Sequence, residues 1–318
     1  MKRRIILYSV SILAVIAIFA LTALFTRPGI PSTSEEKIAL YTRNKPHVQL
    51  TVAVVTTDGQ EVHTYGHDGK EIDVTDEQYA IGTITRSFTG ALAAKAISEG
   101  KISLTSKVGD YITLAPGTYE PTIYELLTHT SGYGDYRLYG SAETAVIKAI
   151  EDFRLNTQPP FGYSESDIGV AVMGIVLSSV YEKPFDELMF DFISQELGME
   201  NTSIMVGYNN AYAASTGLSS NVTDMISYVR HYLSHDNDYL RRATVPLAEI
   251  NKETSIGYLW KVSDTGILAT DGGGSESAGK LLIDRPHGTA IIVLSNYGND
   301  KYGDVTDIAT ALLAESVN

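Results

Sequence analysis

The chain has 318 residues, 44% of them hydrophobic and 19% charged, a composition that excludes wholesale disorder. Its formal charge is −14; residues 1–27 carry Lys2, Arg3, Arg4 and Arg27 and no acid, so the remainder holds 20 basic against 38 acidic groups and is excluded from binding phosphate backbones. The absence of cysteine excludes a disulfide framework, a thiolate metal site, a cysteine nucleophile and a lipidated cysteine anchor.

The first element is an apolar run from Ile5 to Thr26 without a charged residue. At about 1.5 Å per residue it spans roughly 33 Å, close to the hydrocarbon thickness of a bilayer. Lys2, Arg3 and Arg4 precede it, which predicts a cytoplasmic N-terminus and a body on the far side of the membrane. Residues 1–27 therefore read as a cytoplasmic tip and transmembrane anchor, 28–35 as a linker, and 36–318 as one extracytoplasmic domain. Ser32 and Thr33 each have a Glu three residues on, a capping-box pattern that starts a helix running to about Asn44.

Residues 49–56 and 61–65 read as a hairpin turning at Asp58-Gly59. Helical spacing follows over 86–99, 168–181 and 222–233. The last third returns to strands at 279–283 and 289–295, and a helix over 305–315 closes the chain. Strands at both ends with helices between them predict one sheet built from both termini, with a helical lobe inserted.

Several segments carry a family signature. Residues 79–90 read YAIGTITRSFTG, 126–132 LLTHTSG, 196–203 ELGMENTS, 217–224 GLSSNVTD and 258–260 YLW. In order and separation they resemble the serine β-lactamase and penicillin-binding-protein superfamily, above all its class C-like branch, over about residues 36 to 316. The resemblance implies an α/β (α+β) fold: an antiparallel sheet, five-stranded in the family, flanked by helices, plus an all-helical lobe, with the active cleft between them.

In that family a Ser at a helix N-terminus attacks an acyl carbon. A Lys three residues later, a Tyr from a Y-x-N segment and a K/H-x-G strand complete the site. The resemblance puts Thr83 at the nucleophile, Arg86 at the Lys, Glu165 and Asp167 at the Tyr and Asn, and Asp271 at the strand Lys or His. The backbone N–H groups of Thr83 and Gly274 would form the oxyanion hole. Guanidinium stays protonated, so Arg86 cannot take a proton from Thr83. Three acids against Arg86 give an acidic cleft, poor for a substrate carboxylate.

Three readings follow. In the first, the protein is a non-catalytic envelope binding or scaffolding protein in which Arg86 bridges Glu165 or Asp167. In the second it is an atypical acyl hydrolase or transferase, with Thr83 as nucleophile and Glu165, its pKa raised by crowded acids, as base. In the third, Glu165, Asp167 and Asp271 hold a cation, either an amine-bearing envelope ligand or Ca²⁺. No cofactor or nucleic acid is expected. The G-x-x-x-x-G-K match at 274–280 has Leu281 where a nucleotide loop needs Ser or Thr, and literal S-x-x-K matches at Ser34, Ser98 and Ser277 lack a strand-then-helix context. The aromatic stretch 132–139 is a ligand-stacking candidate near the cleft mouth.

Overall fold

The central strands are near-continuous apolar runs, so the sheet must be covered on both faces. In a computed structural model the two longest buried strands are Ala278–Asp284 and Thr289–Ser295, with every residue buried. Leu281, Ile283, Ile292 and Leu294 enter one core, whereas Leu282, Ile291 and Val293 enter a second. The second core is closed by helix α1 (Ser34–Thr42), through Ile38 and Tyr41, and by the C-terminal helix Val305–Ser316, through Val305, Ile308 and Leu313. The structure describes residues 31–74, 77–134, 143–154, 159–205, 210–234, 236–274, 276–300 and 303–317.

Among these residues the sheet has eight antiparallel strands: β1 (Leu50–Thr56), β2 (Gln60–Tyr65), β6 (Ala248–Asn251), β7 (Thr254–Ile256), β8 (Lys261–Ser263), β9 (Leu268–Gly273), β10 (Ala278–Asp284) and β11 (Thr289–Ser295). Their order is β2-β1-β11-β10-β9-β8-β7-β6, and β3 (Tyr79–Ala80), β4 (Ser203–Ile204) and β5 (Leu218–Ser220) form a second, small sheet in the order β3-β5-β4. β1 pairs with β11 from Leu50↔Ser295 to Thr56↔Thr289, so both ends of the chain build one sheet, as the sequence predicts. The sheet is wider than the implied five strands. The additional β6, β7 and β8 are three or four residues long and largely polar, too short to show an alternating pattern.

The helices inserted between β2 and β6 include α2 (Thr85–Ser98), eleven of whose fourteen residues are buried, the shorter α3 (Ile123–Leu127) and α4 (Glu143–Asp152), and α5 (Asp167–Tyr181), an almost wholly apolar helix. Fully buried Trp260, just before β8, donates Nε1–H to Tyr232 at 3.1 Å, and Tyr228 stacks on Phe88 of α2 at 3.9 Å. These contacts fasten the lobe to the sheet.

The capping competition near the start resolves in favour of Thr33. Its hydroxyl accepts from Glu36 N at 3.2 Å, and Glu36 accepts from Thr33 N at 3.4 Å. The helix therefore begins inside the stretch read as linker. The apolar run 5–26 lies outside the described residues. Among the described residues no single helix is long and apolar enough to cross a membrane.

Candidate active-site cleft

Thr83 sits in a single 3-10 turn, Gly82–Ile84, that opens into α2. Two glycines on β9 and one on the turn put backbone against backbone here. Gly82 has φ +52°, and a Cβ on it would come within 2.7 Å of Gly273 N; a Cβ on Gly272 would collide with Ile81 O. Only glycine meets both demands. The consequence is that the Thr83 hydroxyl donates to the main-chain carbonyl of Asp271 at 2.7 Å, and not to a basic side chain.

One turn along α2, Arg86 lies buried beneath Thr83. Its Nη1 donates to Glu165 Oε2 and its Nη2 to Asp167 Oδ1, both at 2.7 Å, and Nε donates to Ser215 Oγ at 3.1 Å. Ser215 in turn donates to the same Asp167 oxygen. Glu165 and Asp167 flank Ser166, the N-cap of α5, whose hydroxyl accepts from Gly169 N at 3.0 Å. The loop before it is held by His129, which has φ +54°. Ser164 N donates to His129 O at 2.9 Å, and Ser166 N to His129 Nδ1 at 3.3 Å.

Two lysines complete the cleft, and neither was among the expected site residues. Lys261 begins β8, and its Nζ lies 2.9 Å from Glu165 Oε1 and 3.3 Å from Asp271 Oδ1. Lys280 is the cross-strand partner of Asp271 in the β10–β9 register, with Nζ 3.5 Å from the same oxygen. The six groups form an alternating chain: Asp167, Arg86, Glu165, Lys261, Asp271, Lys280. It is formally neutral, where the sequence reading expects −2.

The electrostatics follow from these contacts. Burial raises the pKa of the Glu165 carboxyl, but hydrogen bonding and charge from Lys261, then Arg86, outweigh it and hold the group down at about 2. The expectation of a raised Glu165 pKa is thus reversed: the crowd around this acid is cationic. Burial works against the Arg86 charge, yet Asp167 and Glu165 raise its pKa further. Lys280 shifts down, chiefly by burial, with Asp271 countering. His129 falls to about 3, from burial and then the nearby Arg86 charge, so it is neutral. Burial and Glu165 push the Tyr163 phenol up; its OH donates to Glu165 Oε1 at 2.9 Å.

Two further expectations change. The Gly274 N–H donates to Ser277 O at 2.9 Å across the β9–β10 turn, so it is spent within the hairpin instead of serving Thr83 as an oxyanion donor. Glu165, Asp167 and Asp271, expected to offer a free acidic set to a cation, are paired with side-chain cations of the chain itself. Among the described residues no three His, Cys, Asp or Glu groups could hold a metal. The space left among Thr83, Arg86, Tyr163, Glu165, Lys261 and Asp271 is about 20 Å³ accessible to solvent. That admits about one water.

Of the aromatic stretch, Tyr133 is buried against Phe153 (ring centroids 5.1 Å apart) and is core; residues 135–139 lie outside the described residues. Lys280 had a signal in the sequence: a cation inside an otherwise apolar strand needs an anion beside it. Lys261 had none, since β8 itself was not visible.

Three comparisons place the chain among known proteins. The family model described as Beta-lactamase matches residues 42–315. A Beta-lactamase of Providencia stuartii is 26% identical over 211 residues, covering 57% of this chain and 54% of that protein. The D-alanyl-D-alanine-carboxypeptidase/endopeptidase AmpH of Escherichia coli K12 is 25% identical, covering 58% of each. The chain thus spans little more than half the length of these curated relatives. A solved Beta-lactamase/D-alanine carboxypeptidase from Yersinia pestis superposes with a TM-score of 0.75 at 17% identity, covering 89% of this chain and 96% of that one.

Proposed function

The chain is a member of the beta-lactamase family, and from that footing we propose that it is a non-catalytic one: a membrane-anchored extracytoplasmic protein that binds or scaffolds at the cell envelope. The observation that carries this reading is the engagement of Arg86. A family member that acylates needs a group near the nucleophile able to accept its proton. Here that position is a guanidinium bonded to two carboxylates, and the Thr83 hydroxyl is turned to a backbone carbonyl. Loss of a positioned base alone costs about 10²–10⁴ in rate.

The other parts of the machinery are also engaged. Glu165 is ionised and doubly bridged, Tyr163 is a hydrogen-bond donor to it, and the Gly274 N–H is paired. The relatives' β-lactamase and D-alanyl-D-alanine carboxypeptidase activities come to this chain as classes to test. Membrane attachment rests on the uncharged run 5–26 behind Lys2, Arg3 and Arg4, and the partner would be a cell-wall component or another envelope protein.

Turnover of a chromogenic cephalosporin and a p-nitrophenyl ester by the full chain in detergent, beside Thr83→Val, tests the proposal. Equal background rates for both proteins are expected. A rate abolished by the substitution would overturn the reading.

A further inference from the structure

The chain of ion pairs crosses the cleft through one side chain, and we infer that this side chain, Lys261, is a latch that holds the cleft shut over Thr83. The inference concerns the same cleft as the proposed function but does not depend on the absence of catalysis. The cleft floor is Thr83 and Arg86. One wall is the loop carrying Glu165, pinned to the His129 segment; the other is β8 and β9. Lys261 Nζ stands between them, 2.9 Å from Glu165 Oε1 and 3.3 Å from Asp271 Oδ1, and lines the 20 Å³ space together with a half-buried Thr83.

Three features make Lys261 the switchable member. Its side chain is 31% exposed, whereas those of Arg86 and Lys280 are 11% and 9% exposed, so only Lys261 can carry its charge out to water. Its departure strands no acid: Glu165 keeps Arg86 at 2.7 Å, and Asp271 keeps Lys280 at 3.5 Å. Withdrawing Arg86 would instead leave two carboxylates without a guanidinium, the arrangement that makes a broken buried pair expensive. Finally, the backbone two residues earlier is fixed. Leu259, at φ +61°, donates its N–H to Leu127 O at 2.9 Å, so opening is a motion of the Lys261 side chain and not of the strand.

The absence of cysteine from the chain supplies the assay. Thr83→Cys in the full chain places a unique thiol under the latch, and Ser103→Cys, at an exposed position, serves as the reference. Labelling by a small methanethiosulfonate is followed in each. Thr83→Cys is expected to react much more slowly than Ser103→Cys. Adding Lys261→Met should accelerate it about fivefold or more, the loss expected for a partly exposed ion pair. Raising salt to about 1 M, where the screening length is about 3 Å, should accelerate the single variant but not the double one.

Lys280→Met, which removes a cation on one wall only, should leave the rate within about twofold. Melting curves confirm that each variant is folded. Equal labelling with and without Lys261→Met, or acceleration by Lys280→Met as large as by Lys261→Met, would overturn the latch. Covalent capture of Thr83 by an acyl substrate would overturn the non-catalytic reading and leave the latch standing.

Discussion

The two ends of the charge chain are built differently. At the helical end, Arg86 lies under 11% exposed side-chain surface and meets Glu165 and Asp167 at 2.7 Å, with Ser215 closing the group. At the sheet end, Lys261 and Lys280 share one oxygen of a half-exposed Asp271 at 3.3 and 3.5 Å. Guanidinium presents a planar fork that two carboxylates can grip at once, whereas an ammonium is a point charge on a flexible stem. The helical end is therefore a fixed pin and the sheet end an adjustable one. The contrast teaches that net neutrality of a cleft says little about its rigidity; the donor chemistry at each link decides it.

The largest effect expected from breaking the contrast is at the pin. Arg86→Met leaves Asp167 without its cation and Glu165 with Lys261 alone, and should cost about 3–5 kcal/mol in chemical denaturation. The equivalent change at the far end, Lys280→Met, removes a buried ammonium from an apolar strand and should be close to neutral. Similar losses for the two variants would erase the distinction between the ends.

Acid sharpens the contrast next, because both perturbed groups with low values belong to the helical side. His129 has its folded pKa depressed to about 3, so below its unfolded value near 6.5 the unfolded chain takes up the proton first. Stability should then fall as pH drops from about 6.5 to 3, by up to about 1.4 kcal/mol per pH unit for that one proton. The Glu165 contribution is present above its unfolded value near 4.3 and is lost as pH falls toward about 2. His129→Gln should flatten the upper part of the acid limb between pH 6 and 4.5; an unchanged slope would assign the acid lability elsewhere.

A small effect is expected at Lys261 as well. Its replacement by Met should shift stability by less than about 1 kcal/mol, because both of its acids keep another partner. A loss as large as that of Arg86→Met would show the sheet end to be as rigid as the helical one.

Much of this arrangement was legible before any coordinates. The continuous apolar run of β11 and the helix over 222–233 follow from local pattern and have the expected limits, and of the two capping candidates Thr33 is the one used, for a helix that ends two residues before the expected Asn44. Thr83, Arg86, Glu165, Asp167 and Asp271 do come together, because a motif fixes the order in which a fold delivers its residues. Lys280 is marked only by its charge inside an apolar strand and Lys261 by nothing, and what neither carries is its place in the cleft. They reach the cleft by cross-strand neighbourhood, a relation between β8, β9 and β10 that no linear spacing encodes, and β8 is a three-residue strand without periodicity. The assignment of a raised pKa to Glu165 failed with them, since its sign depends on counting every charge in the site.

The most direct test of the central claim, that the cleft has exchanged acyl chemistry for an internal charge chain, is intact mass of the full chain after incubation with a penicillin, a fluorophosphonate and an activated ester. The account predicts an unmodified mass for the wild-type protein and for Thr83→Val alike. An adduct on the wild type that disappears in Thr83→Val would contradict it.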